Sequence, residues 1–292
     1  MNELITYRRD IYSQSGEDGI IERIFSLIEP ENKWCVELGA LNGVHHSNTH
    51  HLITKKGWSG VLIEPDETYF ERLQKTYLNT PGVHCVNTFI DFSPKHSLDA
   101  VLAQTPIPRD FDLLSLDIDG NDYHVWESMA RYEPRVVIIE SNPSIPNDLS
   151  FIQPRDMAVQ QGSSARAIVE LGERKGYSLC TVAGCNLFFI RKDLFPKLGI
   201  PAHTLDELNT GTACFTRLFQ LYDGTLVLDG CQRLLWHGQD IDPEMIQVLR
   251  KSKRRYIAGT SSLPAVRKLK YWVRRMPLYD SLRRIRQTLD RT

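Results

Sequence analysis

Five short apolar runs carry a carboxylate at or next to their C-terminal end: Glu37, Glu64, Asp91, the pair Asp117 and Asp119, and Glu140. Open α/β sheets bind ligands in the crevice outside the C-terminal ends of their strands. Acids placed there are suited to cations, to ribose hydroxyls and to proton transfer. Asp117, Asp119, Glu140 and Asn142 are hard oxygen ligands of the kind Mg2+ or Mn2+ prefers, with room left for water and a substrate hydroxyl. Side chains alternate along a strand, which predicts Asp117 and Asp119 on one face, and two like charges so close call for a cation or a shared proton. The group that takes a proton from a substrate hydroxyl is Asp119 or His124, whose imidazole has a near-neutral pKa.

The stretch from Trp34 to Pro65 decides what the crevice holds. Trp34–Leu38 reads as a strand, Gly39-Ala40-Leu41-Asn42-Gly43 as a small-residue turn, Ser47, Asn48 and Thr49 as the start of a helix to Lys56, and Gly60–Ile63 as a second strand ending at Glu64. A dinucleotide site wants G-x-G-x-x-G, with the pyrophosphate against bare backbone. Here an acid precedes G-x-x-x-G, which repels a pyrophosphate and attracts an amino group. On these residues the chain resembles class I S-adenosylmethionine-dependent methyltransferases, whose first motif is E/D-x-G-x-x-x-G and whose second strand ends in an acid. The resemblance implies S-adenosylmethionine as cofactor, with Gly39, Ala40, Gly43 and Asn48 in its binding turn. Glu37 or Asp117 would hold its amino group, Glu64 its ribose, and Asp91 the adenine.

Tyr12-Ser13-Gln14-Ser15-Gly16-Glu17-Asp18 is similar to the opening motif of FkbM-type methyltransferases, which adds Gln14, Ser15 and Gly16 as cofactor ligands. Read as residues alone, the same stretch is a helix start with Ser15 as N-cap and Asp18 three residues on. FkbM-type proteins usually read D-x-E-G at the fourth strand, with no metal implied. This chain departs from that pattern with Asp117-Ile118-Asp119-Gly120, while Asp117, Asp119, Glu140 and Asn142 at two adjacent strand ends resemble the acids and Asn/Asp of metal-dependent O-methyltransferases, including macrolide-sugar and catechol enzymes, so both a metal and no metal stay open.

Positioning these residues requires a Rossmann-like, seven-stranded, doubly wound mixed α/β sheet of the class I methyltransferase type with a small C-terminal extension. The spacing predicts helices over Glu67–Leu78, Pro94–Gln104, Tyr123–Tyr132 and from Ser163-Ser164 to Lys175. It predicts strands over Val83–Ile90, Asp112–Asp119 and Arg135–Glu140, and a closing hairpin over Tyr177–Val182 and Asn186–Ile190, which a dehydrogenase sheet lacks. Residues 144–162 have little periodicity and read as a lid over the acceptor crevice. The expected organisation is a cofactor-binding domain over 1–195, a small β-containing subdomain over 196–260 with an Asp223-Gly224 hairpin turn, and a basic amphipathic tail over 261–292.

Hydrophobic content of 41% and charged content of 24% are those of an ordinary globular protein. Six cysteines without a C-x-x-C pair read as reduced thiols, and no signal peptide or long apolar run is evident, so a cytoplasmic location is expected. Residues 250–292 hold fourteen Lys/Arg against two acids, leaving twenty-one against thirty-four in residues 1–249. A basic tail with apolar residues at three- and four-residue spacing suits an anionic membrane surface through residues 264–292, at the inner face, or the acidic body itself. Nucleic acid is not expected, because the body repels phosphate. A glycan or small-molecule acceptor is the expected substrate, and a homo-oligomer stays open. Two rivals are a nucleotide-sugar oxidoreductase and a methyltransferase-like protein that tethers without catalysing.

Overall fold

Strand β1 (Trp34–Leu38) sits between β2 (Ser59–Ile63) and β4 (Leu113–Leu116), and both pairings are parallel. In this computed structural model, which describes residues 3–254, the sheet runs β3-β2-β1-β4-β5-β7-β6, with β3 over Val83–Val86, β5 over Val136–Glu140, β6 over Tyr177–Ala183 and β7 over Asn186–Arg191. Only β7 runs antiparallel to its neighbours. That order, with a terminal antiparallel hairpin, is the class I methyltransferase sheet.

Alternation along the strands supplies both cores. Val36, Leu38, Val61, Ile63, Leu114, Leu116, Val137 and Ile139 face one layer, closed by Trp126 of α5 (Asp122–Ser128) and by Ile168 and Leu171 of α6 (Ala165–Arg174). Cys35, Leu62, Leu113, Val136 and Ile138 face the other, closed by Ile20, Ile21 and Ile24 of α1 (Glu17–Ile28) and by Leu52 and Ile53 of α2 (His50–Lys56). Burial on both faces explains why the central strands read as continuous apolar runs. Two further helices, α3 (Glu67–Tyr77) and α4 (Leu98–Leu102), start under side-chain caps from Asp66 and Ser97.

Three expected boundaries shift for local reasons. The third strand stops at Val86 and not Ile90, because the Asn87 amide turns back to donate to the Glu64 and Pro65 carbonyls. Helix α4 begins at Leu98 instead of Pro94, where Ser97 can accept from Ala100 N–H. Ser15 is not an N-cap: Gly16 holds that place in a left-handed conformation with no side-chain cap.

The chain falls into two compact units that divide at Phe215/Thr216, twenty residues beyond the expected boundary. Leu194, Leu198, Leu205, Leu208 and Phe215 are buried in the first unit, which holds that segment to it. The second unit contains β8 (Thr216–Gln220) paired with β9 (Leu226–Gly230) across the Asp223-Gly224 turn, and a short pair, β10 (Arg233–Leu234) with β11 (Gln239–Asp240). Among the described residues no helix is long and apolar enough to cross a membrane. The tail expected over 261–292 lies outside the described residues.

Candidate active site

Strand β4 ends at Leu116, so Asp117 and Asp119 are not partners on one face of a strand. The chain turns instead, with Asp119 at φ 56° and Gly120 at φ 153°. Asp122 holds that turn: its two carboxylate oxygens accept from Ile118 N–H at 2.9 Å and Gly120 N–H at 3.0 Å. The turn still delivers what alternation was expected to deliver. Asp117, Asp119 and Glu140 each offer an oxygen within 4.8 Å of the others.

Burial sets the charge state of this cluster. Asp117 is raised by burial and by the Asp119 charge, and Glu140 is pushed up by burial and by Asp117, Asp122 and Asp119. Both are raised because the two carboxylates cannot ionise together at this distance without a cation or a shared proton between them. Asp122, buried beside Asp117, is raised to about 7. Among the described residues no Lys, Arg or His stands within ion-pair distance of Asp117, Asp119 or Glu140. An uncompensated acidic pocket of this kind is complementary to a cation.

The carboxylate-led turn is packed against the same place. A Cβ on Gly39 would lie 2.1 Å from the Asp117 carbonyl oxygen, so the first residue of the turn must be glycine for β1 and β4 to end side by side. Gly43 packs on Leu73 and Tyr77 of α3, and Ala40 is buried, so these two shape the turn from inside. Glu64 reaches back into it: one oxygen accepts from Leu41 N–H at 2.7 Å and the other from Asp66 N–H at 2.8 Å. Each of those oxygens keeps one lone pair for a further donor.

Glu37 does not face the crevice as a free acid. It accepts from Ser47 Oγ at 2.7 Å, Asn48 N–H at 2.7 Å and Thr49 Oγ1 at 2.8 Å, which fastens the start of α2 to β1. That use turns both of its oxygens into the fold. Asn48 is likewise internal, donating to Ser115 Oγ at 3.0 Å. Burial raises Glu37 to about 7 from an ordinary 4.5, against the pull of its three hydrogen bonds. Because its folded-state value lies above its unfolded one, the native chain holds the extra proton between those values, and stability falls as pH rises through that window. A Glu37→Gln variant removes the titrating group; its amide oxygen can accept from Asn48 N–H and its nitrogen can donate to Thr49 Oγ1, while Ser47 Oγ, which already accepts from Thr49 and His50 N–H, loses its acceptor at all pH values. The variant's stability relative to the parent is therefore expected to rise by about 3 kcal/mol between pH 4.5 and 8, read by urea unfolding. A pH-independent difference would overturn this account of Glu37.

Three other expected ligands are engaged elsewhere. His124, expected as the base, is buried and shares a 2.9 Å hydrogen bond between Nε2 and the Gln153 carbonyl, so that nitrogen carries the proton and Nδ1, 3.7 Å from a Glu127 oxygen, is the one able to accept. Asn142 spends its amide oxygen on Ser144 N–H and Oγ and donates to the Gln161 carbonyl, so it secures its own loop and has no oxygen lone pair left for a metal. Asp91 accepts from Ser93 N–H at 2.6 Å and lies 3.5 Å from His96, a local turn closing on itself. The hydrogen bonds with Ser93 and the nearby His96 charge outweigh its slight desolvation and hold it below the usual range.

The N-terminal motif is organised by its two acids. Asp18 Oδ2 accepts from the backbone N–H groups of Ile11, Tyr12 and Ser13. Glu17, fully buried, accepts from Ser15 N–H at 2.7 Å and from Asn186 Nδ2 at 2.9 Å. Asn186 pairs with Glu140 in the sheet, and Glu17 contributes to the field at Asp117. The motif is thereby brought to the acidic edge, with Gln14 exposed, Ser15 half-buried and Gly16 buried.

Residues 144–162 are fastened along their length. Gln153 is buried, accepts from Gln161 and Gly162 N–H, and donates to the Val159 carbonyl; Asn121 donates to the Asp156 and Val159 carbonyls. A Cβ on Gly120 would lie 2.9 Å from Gln160 Cα, so this segment runs directly against the acidic turn. Asp122, Glu17, Asn186 and Gln153 were not singled out by sequence reasoning. Of these only the acids had a signal, each standing beside a glycine turn.

No family model matches the sequence, and no curated protein does. Similar solved structures include the N-terminal domain of EvdMO1 with SAH bound, 12% identical, covering 61% of this chain and 82% of that one at a TM-score of 0.42. A SAM-dependent methyltransferase from Aquifex aeolicus is 12% identical over 58% of this chain and 86% of its own, at 0.34. The O-methyltransferase NcsB1 from neocarzinostatin biosynthesis, in complex with S-adenosylhomocysteine and 1,4-dihydroxy-2-naphthoic acid, is 14% identical over 55% and 49%, at 0.35. Similarity at this level transfers no residue role, and the fold is read from the strand order.

Proposed function

We propose that the chain is an S-adenosylmethionine-dependent O-methyltransferase acting on a hydroxyl of a sugar or glycan acceptor. The observation that carries this reading is the acidic edge at Asp117, Asp119 and Glu140, which no Lys, Arg or His among the described residues neutralises, beside a carboxylate-led turn on a class I methyltransferase sheet. Its donor set fits a ligand with an ammonium and a sulfonium, and opposes a diphosphate. That complementarity also disfavours an oxidoreductase.

The cofactor supplies a methyl group on a sulfonium, with a neutral thioether as leaving group. The chain's own residues bind, align and remove a proton. Asp117 accepts from the ammonium group, and the two spare lone pairs of Glu64 accept from the ribose hydroxyls. Asp119, exposed at the tip of the turn that Asp122 fixes, takes the proton of the acceptor hydroxyl. The segment over 144–162 closes the side of the crevice next to Gly120 and contributes the exposed Leu149, Phe151 and Ile152. The sugar acceptor is supported by the likeness of Tyr12–Asp18 to FkbM-type motifs, and a peripheral, inner-face location by the basic residues over 264–292.

A second reading keeps the same acids and places a divalent ion, Mg2+ or Mn2+, on Asp117, Asp119 and Glu140, supported by their mutual distances. Titration calorimetry with S-adenosylhomocysteine, run with EDTA and then with Mg2+ or Mn2+, separates the two. Binding that is unchanged by EDTA supports the ammonium at Asp117; metal-dependent binding supports the ion. Glu64→Gln is expected to weaken binding about tenfold through the ribose contact. Binding of NAD(P)H with no response to S-adenosylhomocysteine would remove the methyltransferase reading.

A further inference from the structure

The first unit carries nineteen Lys/Arg against twenty-nine acids over residues 1–215, yet one cleft in it reverses the sign. Tyr7, Arg9, Gly19, Glu22, Arg23 and Ser26 line an open cleft of about 260 Å3 between the N-terminal segment and α1, and none of them belongs to the acidic edge. Arg23 is half-buried there, its guanidinium carbon 4.7 Å from the centre of the Tyr7 ring. Stacking fixes the plane of the guanidinium without using its N–H donors. Among the described residues no protein acceptor takes those donors.

Glu22 does not neutralise the cleft. Its carboxylate is shared by Arg9, by Lys56 at 3.0 Å and by His51 Nε2 at 3.0 Å, and the Lys56 charge by itself compensates it. The Arg9 side chain is 60% exposed, so moving it from Glu22 to another anion costs little.

We propose that this cleft is an anion subsite for a phosphate monoester, gripped by Arg23 through two parallel N–H···O bonds and flanked by Arg9. A planar guanidinium matches two phosphate oxygens, and two arginines balance the charge of a monoester dianion. The space exceeds what a phosphate group fills and leaves room for the organic part of the ester. Arg9 is also tied to the helix start, its N–H donating to the Gly16 carbonyl and its carbonyl accepting from Gly19 N–H. An anion held there therefore secures the segment whose acids, Glu17 and Asp18, organise the edge of the sheet. A soluble sugar phosphate and the phosphomonoester headgroup of phosphatidic acid present the same chemistry.

Calorimetric titration of the full chain with inorganic phosphate and with glucose 1-phosphate, and co-sedimentation with phosphatidylcholine vesicles with and without phosphatidic acid, test this. At least one of these probes is expected to bind. Arg23→Gln should weaken that binding about tenfold or more, with thermal midpoint and S-adenosylhomocysteine affinity unchanged. Arg23→Lys keeps the charge and loses the fork, so it should also bind more weakly, which keeps the test open if the glutamine variant folds poorly. Binding by the soluble ester alone assigns a soluble ligand; binding only to phosphatidic acid vesicles assigns the headgroup. Absence of binding by every probe up to about 10 mM, or equal affinity in parent and both variants, overturns the proposal. Loss of S-adenosylhomocysteine binding in the parent would bear on the methyltransferase reading and not on this cleft.

Discussion

Asp117→Asn is expected to weaken S-adenosylhomocysteine binding between about ten- and a hundredfold, while the variant folds at least as well as the parent. The first part follows from removing the charged acceptor of an ammonium group in a largely buried site, where a charge-assisted hydrogen bond contributes about 1.5–3 kcal/mol. The second follows from the neighbours. Asp117 is crowded by Asp119 and Glu140, and burial opposes its ionisation, so a neutral amide of the same shape relieves repulsion in the empty protein. Calorimetry for affinity and thermal unfolding for stability are both required, because a variant that lost binding by misfolding would lower both. Undiminished affinity in a well-folded Asp117→Asn protein would remove the amino-group assignment.

The other large effect is expected at the opposite end of the same strand. Asp112, fully buried just before β4, accepts from the backbone N–H groups of Glu31, Asn32 and Lys33 and from Arg135 Nη1 at 2.6 Å. Arg135 also donates to the Glu29 and Ile28 carbonyls at the C-terminal end of α1. Asp112→Ala leaves a buried guanidinium and three backbone donors without their acceptor, and is expected to cost about 3–5 kcal/mol. Arg135→Leu should cost a comparable amount by stranding the carboxylate. The double variant should cost less than the sum, since each single change already breaks the shared network. Urea unfolding of the four proteins measures this. A loss under about 1 kcal/mol in Asp112→Ala would show that the latch contributes little. Under conditions where the variant stays folded, its S-adenosylhomocysteine affinity should match the parent's, because the latch and the acidic edge lie at opposite ends of β4.

What the sequence disclosed divides along physical lines. Strands buried on both faces write themselves as apolar runs, which made the central strands visible, and the antiparallel hairpin at Tyr177–Arg191 was legible from Ala183-Gly184-Cys185 between two such runs; the half-buried edge strand β3 showed less clearly and its end was misplaced. The acids at the strand ends were legible for the same reason: charge stands out where an apolar run stops. Their roles were less so. Glu37 and Asp117 look equivalent on paper, and only the positions of Ser47, Asn48 and Thr49, ten to twelve residues further along, show that one is consumed inside the fold. The pleat argument for Asp117 and Asp119 reached the right neighbourhood by the wrong geometry, because nothing in Asp-Ile-Asp-Gly announces that Asp122 will pull the backbone into a left-handed turn. Asn142 looked like chemistry and is a fastener, and His124 is fastened through one of its two ring nitrogens. Their partners, Gln153, Gln161 and Ser144, lie in a segment without periodicity, where local pattern carries no information about hydrogen bonding.

The bond from Glu17 to Asn186 joins positions 169 residues apart. During synthesis at about 5–20 residues per second, the opening helix waits roughly ten to thirty seconds before its partner leaves the ribosome. Through that interval the Glu17 carboxylate keeps its hydration, and its burial waits for the Asn186 amide that donates to it in the folded chain. The segment preceding Gly16 is therefore among the last parts of this unit to set, and the edge of the sheet that it borders is finished only when the closing hairpin arrives.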